Sequence, residues 1–180
     1  FQAVPAGNMP SEVVARKGEH LKPVYNCISG SISRLSIWSG GTYLLQSKSR
    51  SGIDTLFSRL MSSAQIVDST EWEPRVNILS WWKADTYSTL VFFRRESRPA
   101  CFSAEDPKER ILISPASVEM GGVAIVSSRD SFDLLTADKL VSIIEEVSLD
   151  KISSQIMEQK LKRTQEELAV GIFSEEEIEF

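Results

Sequence analysis

Residues 51–63 carry the clearest periodicity in the chain. Ile53, Leu56, Phe57, Leu60 and Met61 recur at i, i+3, i+4, i+7 and i+8, which is one apolar face of a helix. Ser51 is placed to cap it, and Asp54 falls in its first turn. Before it, Ile32, Arg34, Ser36 and Trp38 share one parity and Leu35 and Ile37 the other. Gly40-Gly41 is a turn signal and residues 42–46 continue as a partner strand, so 31–48 predict a hairpin. A second hairpin is predicted from residues 76–82, a polar turn over 83–86, and a return strand over 87–93 ended by Pro99. Residues 110–113 and 123–126 are expected to form a further strand pair. From about Thr136, Leu140, Ile143, Ile144 and Val147 mark another amphipathic helix.

The remaining stretches are less regular. Residues 11–17 predict a short helix after Pro10, and 18–30 read as irregular. Residues 151–167 are rich in Lys, Gln and Glu, with sparse Ile152, Ile156 and Leu161. They predict a solvated helical connector with pairs such as Glu158–Lys162. Residues 168–173 read as a fresh strand. Strand pairs interrupted by helices place the chain in the α+β class. No internal repeat is visible.

Composition narrows the partners. The 180 residues suit one globular domain with an appendage, and a net charge of −5 argues against broad nucleic-acid binding. No apolar run approaches the ~20 residues of a membrane-spanning helix. No leader-like run is visible; the sequence leaves localisation open, with a cytoplasmic setting favoured. Cys27 and Cys101 form no C-x-x-C and no zinc spacing, so both are expected to be reduced, buried thiols, with a bridge between them as the alternative.

Several residues could carry chemistry. Arg94, Arg95 and Arg98 cluster at a strand exit, where guanidinium forks suit phosphate oxygens; the alternative is a solvated loop paired with Glu96 or with the acids at 105–109. Asn77, in mid-strand, could orient a ligand or bond neighbouring backbone. Gly121-Gly122 lacks both the Walker lysine and the G-x-G-x-x-G spacing, and reads as a turn. Trp81 and Trp82 alternate across the sheet, which predicts one in the core and one beneath a helix. Asp54, Glu145 and Glu146 read as solvated surface. His20 is the sole histidine and reads as a loop residue, so no Ser-His-Asp set assembles.

The chain opens on Phe1-Gln2-Ala3, which resembles the end of the His-x-His-Phe-Gln-Ala signature of the histidine-triad and galactose-1-phosphate uridylyltransferase superfamily. The segment from Arg75 through Asn77 to Trp81, then Leu90 to Arg95, is similar to the second half of diadenosine tetraphosphate phosphorylases and GDP-galactose phosphorylases. Ile113-Ser114-Pro115, Gly121-Gly122-Val123 and Asp130-Ser131-Phe132 fit the same plan. The likeness covers roughly residues 1–148 and is closest to a Bacteroidetes-type group with such a body. Phe93 stands where the family has proline, and no His-x-His is present.

The resemblance implies a histidine-triad-like antiparallel sheet flanked by helices over 1–149. It implies a nucleotidyltransferase or phosphorylase ancestry, with a nucleotide or nucleotide-sugar as ligand and no cofactor. The nucleophilic histidine is expected just before Phe1, so the piece itself is expected to be inactive. Gln2, Arg94, Arg95 and Arg98 would hold phosphate, Asn77 would orient the ligand, and a homodimer is implied. Residues 168–180, beyond the 150–167 connector, resemble the opening strand of a sporulation stage II protein D/LytB-like domain. That implies a cell-wall module in the parent protein. The alternative reading is a non-catalytic nucleotide-binding or docking module fused to the cell-wall domain.

Overall fold

The computed structural model describes residues 9–37, 40–65 and 74–175; the side chains of residue 12 and of 164–175 are not described. Gln2 lies outside the described residues. Five strands form one antiparallel sheet: β1 (Leu21–Cys27), β2 (Gly30–Leu35), β3 (Thr42–Ser47), β4 (Arg75–Lys83) and β5 (Thr86–Arg94), in the order β1-β2-β3-β5-β4. Six helices flank it: α1 (Pro10–Lys17), α2 (Arg50–Ala64), α3 (Ser117–Met120), α4 (Arg129–Leu134), α5 (Ala137–Val147) and α6 (Lys151–Glu175). The α+β class and both expected hairpins are present.

The central strand β3 is apolar on both faces because both are covered. Tyr43 and Leu45 join Ile32, Val91 and Phe93 on one face, under α2 (Leu56, Leu60) and α6 (Met157, Leu161). Leu44, Leu90 and Phe92 occupy the other, under Ala15 of α1, Met120 of α3 and Ile144 of α5. Leu56 and Leu60 are fully buried, each contributing about 1.5–3 kcal/mol.

The helix ends follow the side-chain oxygens. Thr136 caps α5 by accepting from the Lys139 N–H, as its position implies. In α2 the cap is Ser49, not Ser51: Ser49 has extended backbone and its Oγ accepts from the Gly52 N–H at 3.1 Å. Asp54 therefore lies beyond the first turn.

Four expectations are corrected. Residues 18–30 are not irregular, because they contain β1. Pro23 and a register shift between Pro23 and Tyr25 break its alternation, so Val24 and Tyr25 are both buried. Residues 110–113 and 123–126 are not strands. Ile111 and Ile113 are buried and Leu112 is exposed, but Leu112 N–H donates to Ser131 Oγ instead of to a ladder. The connector is not a solvated helix. Met157 and Leu161 sit in the core, while Ile152 and Ile156 face outward and Glu158 pairs with Arg34 at 3.2 Å. Residues 168–173 are helical, part of α6, not a strand. Among the described residues no helix is long and apolar enough to cross a membrane.

Candidate anion-binding site

The β4–β5 turn sets the register of the site. Ala84 and Asp85 both adopt left-handed backbone (φ 48° and 54°), which closes a two-residue turn and pairs Lys83 with Thr86. Counting back along the ladder puts Asn77 opposite Phe92 and Arg75 opposite Arg94. Opposed side chains share a face. Arg75, Asn77 and Arg94 thus project from the face that carries Leu79 and Phe92, towards α3.

Three donors meet there with few acceptors. Arg94 is half-buried. Its Nη2 donates to the Ser97 carbonyl at 2.6 Å, and its Nε is buried with no hydrogen-bond acceptor among the described residues. Burial lowers its pKa, and the charge of Arg75 adds to that; Glu119 acts in the opposite sense. Guanidinium still stays ionised at neutral pH. The Asn77 amide Nδ2 is likewise buried, with no acceptor among the described residues. Arg75 is engaged: Nη1 donates to the Arg95 carbonyl at 2.6 Å and stands 3.6 Å from Glu96. The nearby Glu119 carboxylate accepts from the Ala116 N–H at 2.9 Å. Such an array can hold an oxygen-rich anion, because phosphate oxygens supply the acceptors that the described residues do not.

The other expected residues are distributed around this array. Arg95 follows the strand end. Its N–H bonds the Val147 carbonyl at 2.9 Å, and its Nη2 makes a long 3.4 Å contact with the Glu146 carbonyl. It lines a cavity beside the array together with Arg75 and Arg94. Arg98 is not part of that cavity: its guanidinium lies 4.3 Å from the Phe102 ring centroid, an exposed cation–π pair. His20 precedes β1, at the sheet edge farthest from β4, where its carbonyl accepts from Ser36.

Trp81 packs partly into the core, whereas Trp82 is exposed beside Tyr87, under no helix among the described residues. Glu146 is half-buried and accepts from the Ala100 N–H at 2.7 Å. Both cysteines are free, but Cys27 is exposed, and burial raises the thiol pKa of Cys101. Among the described residues no group of three or more His, Cys, Asp or Glu could hold a metal.

Arg75, Glu119 and Asp150 were not singled out by sequence. Arg75 had a usable signal: a two-residue turn at 84–85 forces it opposite Arg94. No family model matches the chain, and neither does any curated protein or solved structure.

Proposed function

We propose that this chain is a nucleotide-phosphate-binding body of the histidine-triad, galactose-1-phosphate uridylyltransferase-like kind. Its ligand is a nucleotide or nucleotide-sugar. One observation carries the reading: two arginines are opposed across a ladder, and the buried Arg94 Nε and Asn77 Nδ2 beside them have no acceptor among the described residues. A bound phosphate group would relieve the cation–cation repulsion and satisfy both donors. The five-stranded antiparallel sheet with helices on both faces is compatible with the ancestry implied by Phe1-Gln2-Ala3 and by the Asn77 and Arg94 strands.

In the catalytic form of this proposal, the imidazole expected before Phe1 attacks the nucleotide phosphorus and forms a nucleotidyl-histidine as the phosphoanhydride bond breaks and the distal phosphate or sugar phosphate leaves, while Gln2 and the arginines hold the phosphate. A second reading rests on His20. The only histidine of the chain lies at the opposite edge of the sheet from the arginines. This favours a body that binds nucleotide without turning it over, or that docks a cell-wall module carried by the same parent chain.

Thermal shift with UDP, GDP and ATP tests the binding. The melting temperature of the wild type is expected to rise with at least one of them, and that of Arg94→Met to stay flat. Equal responses in both proteins, or no response in either, would remove the proposal. A longer parent chain carrying the residues before Phe1, incubated with the nucleotide that binds, separates the two readings. A phosphoramidate mass increment supports turnover; unmodified protein supports binding alone.

A further inference from the structure

A hollow lies beside the donor array, its apolar lining on the opposite face of the sheet. It is a cavity of about 160 Å³ at the junction of β5 and the start of α6. Its floor is apolar: Phe93 and Met157 are buried in the core, and Leu149 packs against them. An apolar cavity of roughly 150 Å³ accepts a benzene ring, so the floor has room for one ring or one branched aliphatic group. The Leu149 N–H donates to the Phe93 carbonyl at 3.0 Å, which fixes the α5–α6 connection against the strand end and holds the wall in place.

Among the described residues, four ionisable ones line this cavity: Arg75, Arg94, Arg95 and Asp150. Arg75 is held by the Arg95 carbonyl and Glu96, and the Arg94 guanidinium by the Ser97 carbonyl. By the ladder register, Arg94 projects from the other face. Arg95 and Asp150 remain. Among the described residues the Arg95 guanidinium makes only the long contact to the Glu146 carbonyl. Asp150 accepts from the Ser153 N–H at 2.9 Å and from Ser153 Oγ at 2.7 Å. These bonds hold its carboxyl below the usual carboxylate pKa, and therefore ionised. No ion pair joins Arg95 to Asp150 among the described residues. One cation and one anion thus border a ring-sized apolar floor without neutralising each other.

That combination discriminates. A simple carboxylate or phosphate would meet Asp150, and a simple amine would meet Arg95. A neutral hydrocarbon would leave both charges unused. An α-amino acid carries both charges at one carbon and a single arm opposite them. We propose that this cavity binds a free α-amino acid with an apolar side chain, its carboxylate towards Arg95, its ammonium towards Asp150 and its side chain on Phe93, Leu149 and Met157. This proposal does not depend on the nucleotide reading.

Calorimetric titration of the full chain tests it with three probes of one shape: L-leucine, 4-methylpentanoate (no amine) and 3-methylbutylamine (no carboxylate). L-Leucine is expected to bind, and each half-charged analogue to bind at least about tenfold more weakly. L-Phenylalanine and 3-phenylpropionate repeat the comparison with a ring. Asp150→Asn removes the charge but keeps a side chain that caps a helix well. It is expected to weaken L-leucine by about tenfold and to strengthen 4-methylpentanoate. Arg95→Gln, at an exposed position, should do the converse with the amine and serves if Asp150→Asn folds poorly. The proposal fails if wild-type protein takes up no L-leucine at millimolar concentration, if either analogue matches it, or if neither variant changes the preference. The nucleotide response of Asp150→Asn should equal that of wild type, so the two sites fail or stand separately.

Discussion

Arg75 and Arg94 stand directly opposite each other across β4 and β5, at the last pair before the two strands separate. Like charges in directly opposed positions destabilise a sheet; Glu96, Glu119 and the carbonyls of Arg95 and Ser97 are among the groups that offset this pair. Stability alone gives little reason for the arrangement. Arg94→Met is therefore expected to change unfolding free energy by less than about 1 kcal/mol in either direction. Phe92→Ala, two residues earlier on the same face and fully buried, should cost about 3–5 kcal/mol. Urea titrations measure both. Repeated with added inorganic phosphate, they should show wild type gaining stability and Arg94→Met gaining less; equal gains would mean that Arg94 does not touch the anion.

The contact between α6 and the sheet makes stability depend on alkaline pH. The Tyr43 hydroxyl donates to the Ser154 carbonyl at 3.3 Å and to Glu158 Oε1 at 3.4 Å, and Arg34 pairs with the same oxygen at 3.2 Å. Burial, then the Glu158 charge, push the Tyr43 pKa far above its ordinary value of 10.0. The folded chain therefore keeps this proton after the unfolded chain has lost it. The stabilisation is complete below pH 10 and declines as pH rises above the unfolded value. Tyr43→Phe should cost about 1 kcal/mol at neutral pH through the lost hydrogen bonds. It should also flatten the fall in stability above about pH 10. A residual slope from Tyr25, whose pKa burial also raises, is expected to persist.

How much of this was legible depends on whether the cue was local. Leu56 and Leu60 declare α2 because four residues make about one turn, and Thr136 declares the start of α5 through its own side chain. The β4–β5 hairpin follows from a polar turn between two apolar runs. Strand β1 was hidden because Pro23 and the bulge beside it interrupt the period of two. Ile111 and Ile113 misled in the other direction: alternating burial arises wherever extended chain lies on a core, with or without a ladder. In α6, Ile152 and Ile156 drew attention to the solvent face, while the buried face is marked by Met157, Leu161 and the small Ser154. Arg94 and Arg95 were visible as a charge cluster. Asp150 was not, because its place beside Phe93 comes from packing between elements distant in sequence.

Gly52 reverses the usual rule for glycine in a helix. Replacing glycine with alanine inside a helix normally stabilises it by about 1 kcal/mol. A methyl group at position 52 would strike Ser47 Oγ and the Ser29 carbonyl, because α2 starts hard against the β1–β2 turn and the end of β3. The two struck groups are already bonded to each other, Ser47 Oγ donating to the Ser29 carbonyl at 2.6 Å. Gly52→Ala is expected to destabilise by about 1–3 kcal/mol. Ser58→Ala, on the exposed side of the same helix, should be neutral or stabilise by a few tenths. Guanidinium unfolding of the two variants makes the comparison, and a stabilised Gly52→Ala would refute the close approach.

The turn that sets the register of the arginines is itself strained. Ala84 and Asp85 both hold left-handed backbone, a conformation that costs an alanine roughly 1–2 kcal/mol and that asparagine and glycine adopt more readily. Both residues are exposed, and the Ala84 carbonyl accepts from Thr86 Oγ1 at 3.3 Å, a bond that does not involve either replaced side chain. Ala84→Asn combined with Asp85→Gly is expected to raise unfolding free energy by about 1 kcal/mol. The ladder from Arg75–Arg94 to Lys83–Thr86 should keep its register, since a two-residue loop of the same turn type preserves the pairing. The anion response should therefore survive in this double variant. Inserting one glycine after Ala84 tests the dependence from the other side. It allows a one-residue slip, which moves Arg75 away from Arg94 and turns Asn77 to the opposite face. The phosphate-dependent gain in stability should then disappear even though every donor residue is still present. A gain retained by the insertion variant, read by the same urea titrations, would show that the anion does not depend on the Arg75–Arg94 register.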